Sequence, residues 1–290
     1  MREKQRPIVA VIVSVLGYFF LAAMGACSKL ISSETSIWTM LFFQNWVSLF
    51  CISLIVMKKR ISSLRTQRLG LHFARTIGGL GCFYLFFQSL EFIPLINGMV
   101  LLNTAPLWVP FVVWIWLKIR IPGHLWWGIL VGFIGVIVIL RPGIAPFSLG
   151  YVFALGSGIF LGSALVVVSR LSHTEPTHRI LFYYAFLGTL FMAPAGFAIP
   201  SSHDFFLLIG VGIFMFLNQF FITYGFQHGK ASFLAPTVYT AVAFSGLFDW
   251  LIWDHIPDLL STLGILIVIA GALISIHFEL RYRKRIEGAK

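Results

Sequence analysis

The chain has 290 residues, 59% of them hydrophobic and only 11% charged, with a formal net charge of +11 and a mean hydropathy of +0.92. That balance excludes an ordinary soluble domain and indicates a membrane protein. Without a long polar segment to carry a soluble domain, the excess positive charge reads as membrane orientation and contact with anionic lipid at the cytoplasmic face, and nucleic acid is not an expected partner.

Charged residues divide the sequence into apolar runs of the length that a hydrocarbon core of about 30 Å requires, roughly 20 residues each. The runs lie between Arg6 and Lys29, Glu34 and Lys58, Arg75 and Glu91, Glu91 and Lys118, Arg120 and Arg141, Arg141 and Arg170, Arg179 and Asp204, Asp204 and Lys230, Lys230 and Asp249, and Asp258 and Glu279. Ten spanning helices are expected. The third reaches spanning length only by taking in Leu69 to Arg75, and the ninth by taking in Asp249. The runs are continuously apolar rather than alternating, which argues against a β-barrel.

Helix 1, Pro7 to Leu30, carries Ala22, Ala23, Gly25 and Ala26, small residues that permit close helix contact. Helix 2, Thr35 to Met57, holds the amides Gln44 and Asn45, which in lipid bond other helices or line a cavity. Helix 3, Leu69 to Leu90, puts His72, Arg75, Thr76, Gly79, Phe83 and Phe86 on one face. Arg75 lies about 9 Å from the inner end. It either snorkels to the interface or lines a watery vestibule, where it would meet a carboxylate or phosphate of a substrate or an acid on another helix.

Helix 4, Phe92 to Leu117, aligns Asn97 with Thr104. Gly128 with Gly132, and Gly158 with Gly162, mark close packing on helices 5 and 6. Helix 8, Phe205 to Gln227, bears Asn218 and a stripe of Gln219, Thr223 and Gln227, with Tyr224 and His228 on another face. Helix 9, Ala231 to Trp253, presents Thr237 and Thr240 beside Tyr239. Asp249 is the one acid well inside a span, and it points half a turn away from Thr240.

The segment Ser89 to Val136 recurs, without a gap, 136 positions later as Gly225 to Ala272. Thr104 falls on Thr240, Ala105 on Ala241, Gly128-Ile129-Leu130 on Gly264-Ile265-Leu266, and Gly135 on Gly271. Upstream the shift is 141, so that Gly17, Ser28, Lys29 and Glu34 fall on Gly158, Ser169, Arg170 and Glu175. The echo makes helix 1 part of the fold rather than a cleaved leader.

Helices 1 to 5 therefore repeat as 6 to 10, and an odd number of spans per repeat makes the copies antiparallel. The expected fold is an all-α membrane protein with ten transmembrane helices as two inverted five-helix repeats, residues 1–141 and 142–290. With both termini inside, 19 of the 21 Lys and Arg fall on the cytoplasmic side, Lys29 and Arg141 being the exceptions.

Cys27, Cys51 and Cys82 sit inside spans with no metal-ligand spacing, so neither a disulfide, a metal nor any cofactor is expected. No HExxH or GxSxG motif points to an enzyme. Inverted copies bring spans 4 and 9 together at mid-membrane. Their polar groups, with Arg75, Asn218, Gln219 and Tyr224, are the expected substrate-binding set: Arg75, Asn97, Thr104, Asn218, Gln219, Tyr224, Thr237, Tyr239 and Thr240. His72 and Asp249 are candidates for coupling. The expected function is a carrier that works as a monomer or homodimer on a small molecule; lipid translocation or a structural role is the alternative.

Particular motifs strengthen this. Arg75 to Tyr84 reads RTIGGLGCFY, Ala105 to Pro110 APLWVP, Gly132 to Pro142 GFIGVIVILRP, Ser169 to Leu171 SRL with Thr174 to Pro176 TEP, and Pro257 to Gly264 PDLLSTLG. On these the chain resembles the EamA branch of the drug/metabolite transporter superfamily over nearly its whole length. The resemblance implies a ten-helix inner-membrane carrier with a cavity between its halves. The start of helix 3 and the loops are similar to S-adenosylmethionine uptake carriers, while Gln44, Lys118 and Ala241-Val242 depart from residues common in the family. Cargo candidates are S-adenosylmethionine, an amino acid, a nucleoside or a vitamin.

Overall fold

The computed structural model describes residues 7–57, 64–118, 123, 125–140, 148–172, 174–194, 200–228 and 235–287. Its helices are α1 (Pro7–Leu30), α2 (Ile37–Met57), α3 (Leu69–Leu90), α4 (Leu95–Leu102), α5 (Ala105–Leu117), α6 (Leu125–Leu140), α7 (Leu149–Ser172), α8 (Thr177–Met192), α9 (Ser202–His228), a 3-10 turn (Ala235–Tyr239), α10 (Thr240–Trp253) and α11 (Leu259–Glu287). Among the described residues there is no strand. A backbone surrounded by lipid must satisfy its hydrogen bonds internally, and the uninterrupted apolar runs do so as helices.

Five helical stretches are long and apolar enough to cross a membrane: Ile8–Leu30, Ile37–Met57, Leu95–Trp116, Leu149–Val168 and Ser202–Gly225. Shorter apolar helices cover Trp126–Ile139, Thr237–Trp253 and Leu259–Gly271. The molecule is inside out relative to a soluble protein. Phe50, Ile77, Leu251 and Leu259 are exposed, while Gln44, Asn45, His72, Thr104 and Asp249 are buried.

Spans 4 and 9 correct the expectation of continuous helices. Span 4 breaks at Asn103 and Thr104, because Pro106 lacks the N–H that would bond Leu102 and its ring crowds that carbonyl. Side chains add second bonds to carbonyls beside the break: Asn103 Nδ2 donates to Met99 O at 2.8 Å and Thr104 Oγ1 to Leu101 O at 2.6 Å. Span 9 breaks at the matching place, where the 3-10 turn hands over to α10 and Thr240 Oγ1 donates to Thr237 O at 2.6 Å. Residues 231–234, the expected start of helix 9, lie outside the described residues.

The repeat extends to backbone detail. Lys118 (φ 56°) and Asp254 (φ 52°) are the positive-φ non-glycine residues among those described, and they are equivalent at the shift of 136. Each ends the second half of a broken span. The first helix of each repeat packs on the third helix of the other, α1 on α9 and α7 on α3, and α6 packs against α11.

Two ties join the repeats at opposite ends. At one end Asp204, at the start of α9, accepts hydrogen bonds from Thr35 Oγ1 at 2.7 Å and from the Ser32 N–H at 3.3 Å. At the other, Glu175 in the α7–α8 turn accepts from Thr66 Oγ1 at 2.6 Å, just before α3, and Tyr183 OH donates to Leu64 O at 3.1 Å. Each tie links the first turn of one repeat to the third helix of the other. Their appearance at opposite ends is what inverted copies require.

Lys58 to Ser63 of the basic loop, Arg120, Arg141 with the boundary between repeats, and Lys230 lie outside the described residues, as do the side chains of Gln227 and His228.

Glu175 supplies a pH test. Burial alone would raise its carboxyl, but the Thr66 hydroxyl and the Arg179 guanidinium outweigh that and hold it below the ordinary Glu range. A depressed carboxyl adds stability above its unfolded value, about 4.3, and that stability is lost as the pH falls through the lower folded value. Between about pH 5 and pH 3 the wild type should therefore lose thermal stability by an increment that Glu175→Gln lacks. Parallel pH profiles of the two proteins would count against the tie.

Candidate functional site

The most unusual interior group is an arginine. Arg75 is 8% exposed, and its guanidinium lies over the Tyr184 ring, 4.4 Å from the centroid. It is packed sideways within the bundle instead of snorkelling. Gly79, one turn along α3, makes this possible, since a Cβ there would meet the Tyr184 ring at 2.5 Å and Arg75 Nη1 at 2.6 Å. Among the described residues no carboxylate pairs with Arg75. A cation–π contact contributes about 2 kcal/mol when desolvated, less than the several kcal/mol that burying one charge costs.

The neighbours of Arg75 are also short of partners. Gln44 and Asn45, on α2, are fully buried. Both polar atoms of the Gln44 amide, Asn45 Oδ1, Arg75 Nε and Tyr184 OH make no hydrogen bond, although Gln44 and Arg75 both lie beside the Tyr184 hydroxyl. A cleft between α2, α8 and α9 reaches Tyr184 and is also lined by Ser48, Met215, Phe216 and Gln219. One turn before Arg75, His72 stacks on Tyr183 at 4.5 Å, with neither ring nitrogen hydrogen-bonded.

A second polar group surrounds the break in span 9. Asn218 Nδ2 on α9 donates to Gly17 O on α1 at 2.9 Å. Tyr239, at the break, is buried with its hydroxyl unbonded, and Tyr18 of α1 lies close enough for the two phenols to interact. Thr237 is buried and Thr240 half-buried beside it.

A third group faces α7. Asn97 Nδ2 donates to Tyr151 OH at 3.4 Å, and Thr104 Oγ1 accepts from Trp108 Nε1 at 3.2 Å. The polar faces of spans 4 and 9 are expected to converge at mid-membrane. Between α4 and α10 the packing runs through Ile96, Val100 and Val242, with Asp249 at the start of α4. The two breaks turn the threonine hydroxyls back onto their own carbonyls. Tyr224, stacked on Phe220 at 6.4 Å, is 38% exposed on the outer surface, because α9 turns that face away from the bundle.

Asp249 has a defined place. It is fully buried and accepts the N–H groups of Leu95 at 3.2 Å and Ile96 at 2.7 Å, the first turn of α4. Lys29 Nζ approaches it at 3.4 Å and lies 4.7 Å from the Trp253 ring centroid. At the opposite end the repeat-equivalent cation, Arg170, sits 5.4 Å over Trp116. The carboxylate thus neutralises the free donors and positive dipole end of a helix on another repeat.

Sequence reasoning missed Tyr18, Tyr184, Lys29 and Glu175. Both tyrosines lie in aromatic-rich apolar runs, which give no sign that a hydroxyl will point inward. Lys29 did carry a signal, as one of two cations on the wrong side of the charge asymmetry. No metal-binding group of His, Cys, Asp and Glu occurs among the described residues.

Comparison with known proteins fits this geometry. A model of the EamA-like transporter family matches residues 8–141 and again 148–276. The chain is 29% identical over 273 residues to the pseudopaline exporter CntI of Pseudomonas aeruginosa, covering 91% of this chain and 95% of that protein. It is 28% identical over 228 residues to a riboflavin transporter of Vibrio cholerae, covering 77% and 76% respectively. It is also 23% identical over 281 residues to an S-adenosylmethionine uptake transporter of Rickettsia felis, covering 93% and 95%. A solved structure of 19% identity superposes with a TM-score of 0.61 over 93% of this chain and 98% of that one, a likeness of fold.

Proposed function

The chain belongs to the EamA-like transporter family, and from that premise we propose that it is a secondary-active carrier moving a small polar metabolite across the bacterial inner membrane by alternating access, with both termini cytoplasmic. The observation that carries this reading is the pair of helix breaks at equivalent positions in two inverted repeats. Discontinuous spans place backbone and side-chain polar groups in the interior of a membrane protein, where cargo can use them.

Residues 1–141 and 142–290 are the two moving bodies in this proposal. The ties at Asp204 and Glu175 lie at opposite ends, so releasing one opens that end while the other stays shut. Cargo would shift the balance by its differential affinity for the two states. Asn218, Thr237, Tyr239 and Thr240 contact cargo at the break in span 9, with Asn97 and Thr104 at the break in span 4, and Arg75 and Gln219 deeper along α3 and α9. Relatives named as exporters and as uptake proteins leave both directions open to this architecture.

Flux into proteoliposomes tests the reading. Labelled S-adenosylmethionine, riboflavin, amino acids and nucleosides are presented with and without the same compound preloaded inside. At least one should exchange across the bilayer, and Tyr239→Phe should lower its rate about tenfold if the phenol donates to cargo in the rate-limiting state. A folded protein that exchanges none of them, or a Tyr239→Phe rate equal to wild type, counts against the carrier or against its site respectively.

A further inference from the structure

Arg75 presents a charge that no carboxylate among the described residues neutralises. Guanidinium does not lose its proton at any physiological pH, and this one lies over the Tyr184 ring. A charge buried this way persists where a counter-charge arrives from elsewhere. Glu175, which acts on His72 one turn before Arg75, is committed to Thr66 and Arg179.

The groups around the guanidinium narrow the kind of anion. The Gln44 amide nitrogen and the Tyr184 hydroxyl are buried donors lacking acceptors beside the guanidinium, while Gln44 Oε1 and Asn45 Oδ1 lack donors; the net charge of the cluster is positive, and it is the three donors that an anion would meet. A carboxylate supplies two planar oxygens for such a fork. Its single negative charge balances the single cation. A phosphate dianion would leave one charge unbalanced in the interior of the membrane. The cleft beside Tyr184, walled by Phe216 and Met215, is apolar but closed down to about the size of one water molecule, so the rest of a carboxylate-bearing molecule requires it to widen.

We propose that Arg75, Gln44 and Tyr184 form a carboxylate-binding subsite, and that the cargo carries at least one free carboxylate held there. This rests on the carrier reading for its consequence, though not for its test. Asn45, whose Oδ1 also lacks a donor, sits at the edge of the subsite and accepts from any amine or hydroxyl next to the carboxylate.

Benzoate, benzamide and phenylphosphate separate charge from shape, and their binding to the purified full-length protein in detergent is read by thermal shift. Benzoate should half-saturate at a concentration about tenfold below that of benzamide, the discrimination expected for a hydrogen-bonded charge, and below that of phenylphosphate. Arg75→Gln should abolish the preference. Should that variant fail to fold, Gln44→Met decides. Replacing an unbonded buried amide by an apolar side chain of similar shape should make the empty protein more stable while weakening benzoate, which a purely structural glutamine would not do. Equal binding of benzoate and benzamide by the wild type, tighter binding of phenylphosphate, or a preference that survives in whichever variant folds, overturns the subsite. None of these readouts needs flux, so a protein that transports without preferring benzoate refutes the subsite alone. One that prefers benzoate without transporting refutes the carrier reading alone.

Discussion

Asp249→Ala should lower the stability of the protein by about 3 kcal/mol, near the lower end for breaking a buried charge pair. Three partners lose their acceptor together: the N–H groups of Leu95 and Ile96 at the start of α4, and the ammonium of Lys29. The lower end applies because the Lys29 side chain keeps 18% exposure and remains over Trp253. At about 2–4 °C per kcal/mol for a chain of this size, the melting temperature in detergent should drop by roughly 6–12 °C. Asp249→Asn keeps an oxygen for the helix start but not the charge, and should fall between the two. Removing the stranded cation as well, with Lys29→Met, should recover part of the loss. A melting temperature unchanged by Asp249→Ala would show that α4 does not depend on this carboxylate.

Gly271→Val should cost a comparable amount, toward the upper end of the 1–3 kcal/mol typical of overpacking. α6 and α11 meet through glycines on both sides: a Cβ on Gly271 would run into the backbone of Gly132 and the carbonyl oxygen of Gly128, and one on Gly135 into Val268 N and Gly264 O. Rigid backbone, unlike a side-chain tip, has no rotamer with which to yield. Gly271 is also the repeat-equivalent of Gly135, so one close approach is used twice. Gly70, with nothing within 4 Å of its would-be Cβ, is the control, and Gly70→Ala should be neutral or slightly stabilising. Should Gly271→Val melt with the wild type, the close contact between the fifth helices of the two repeats would be wrong.

Much of this architecture was legible before any coordinates. Run lengths gave the ten spans, and the two shifts gave the repeats, because both depend on properties every residue in a segment shares. The breaks in spans 4 and 9 were less visible. Pro106 carries the signal for the first, but proline is common enough in membrane helices that it does not by itself end one.

The candidate site was only partly readable, since which way a side chain faces depends on where a helix breaks. Thr104 and Thr240 are equivalent in the repeat, and each hydroxyl turns to its own backbone, which their spacing alone does not reveal. Arg75 was recognisable as anomalous, whereas its resting place against Tyr184 depends on an α3–α8 contact that no local pattern encodes. Lys29 and Asp249 were the exceptions to the charge asymmetry and to the apolar spans. Each accounts for the other, because a cation and an acid expensive in isolation become tolerable as a pair.

The central claim, that two inverted repeats rock so that one end opens as the other closes, is tested most directly by distances at both ends of the reconstituted protein. Spin labels at Ser33 and His203 report on the end tied by Asp204, and labels at Gln67 and Thr174 on the end tied by Glu175; all four positions are exposed. Loosening the first tie with Asp204→Asn should lengthen the Ser33–His203 distance while the Gln67–Thr174 distance stays short, and Glu175→Gln should do the reverse. Both distances lengthening together, or neither responding to either substitution, would contradict alternating access in this protein.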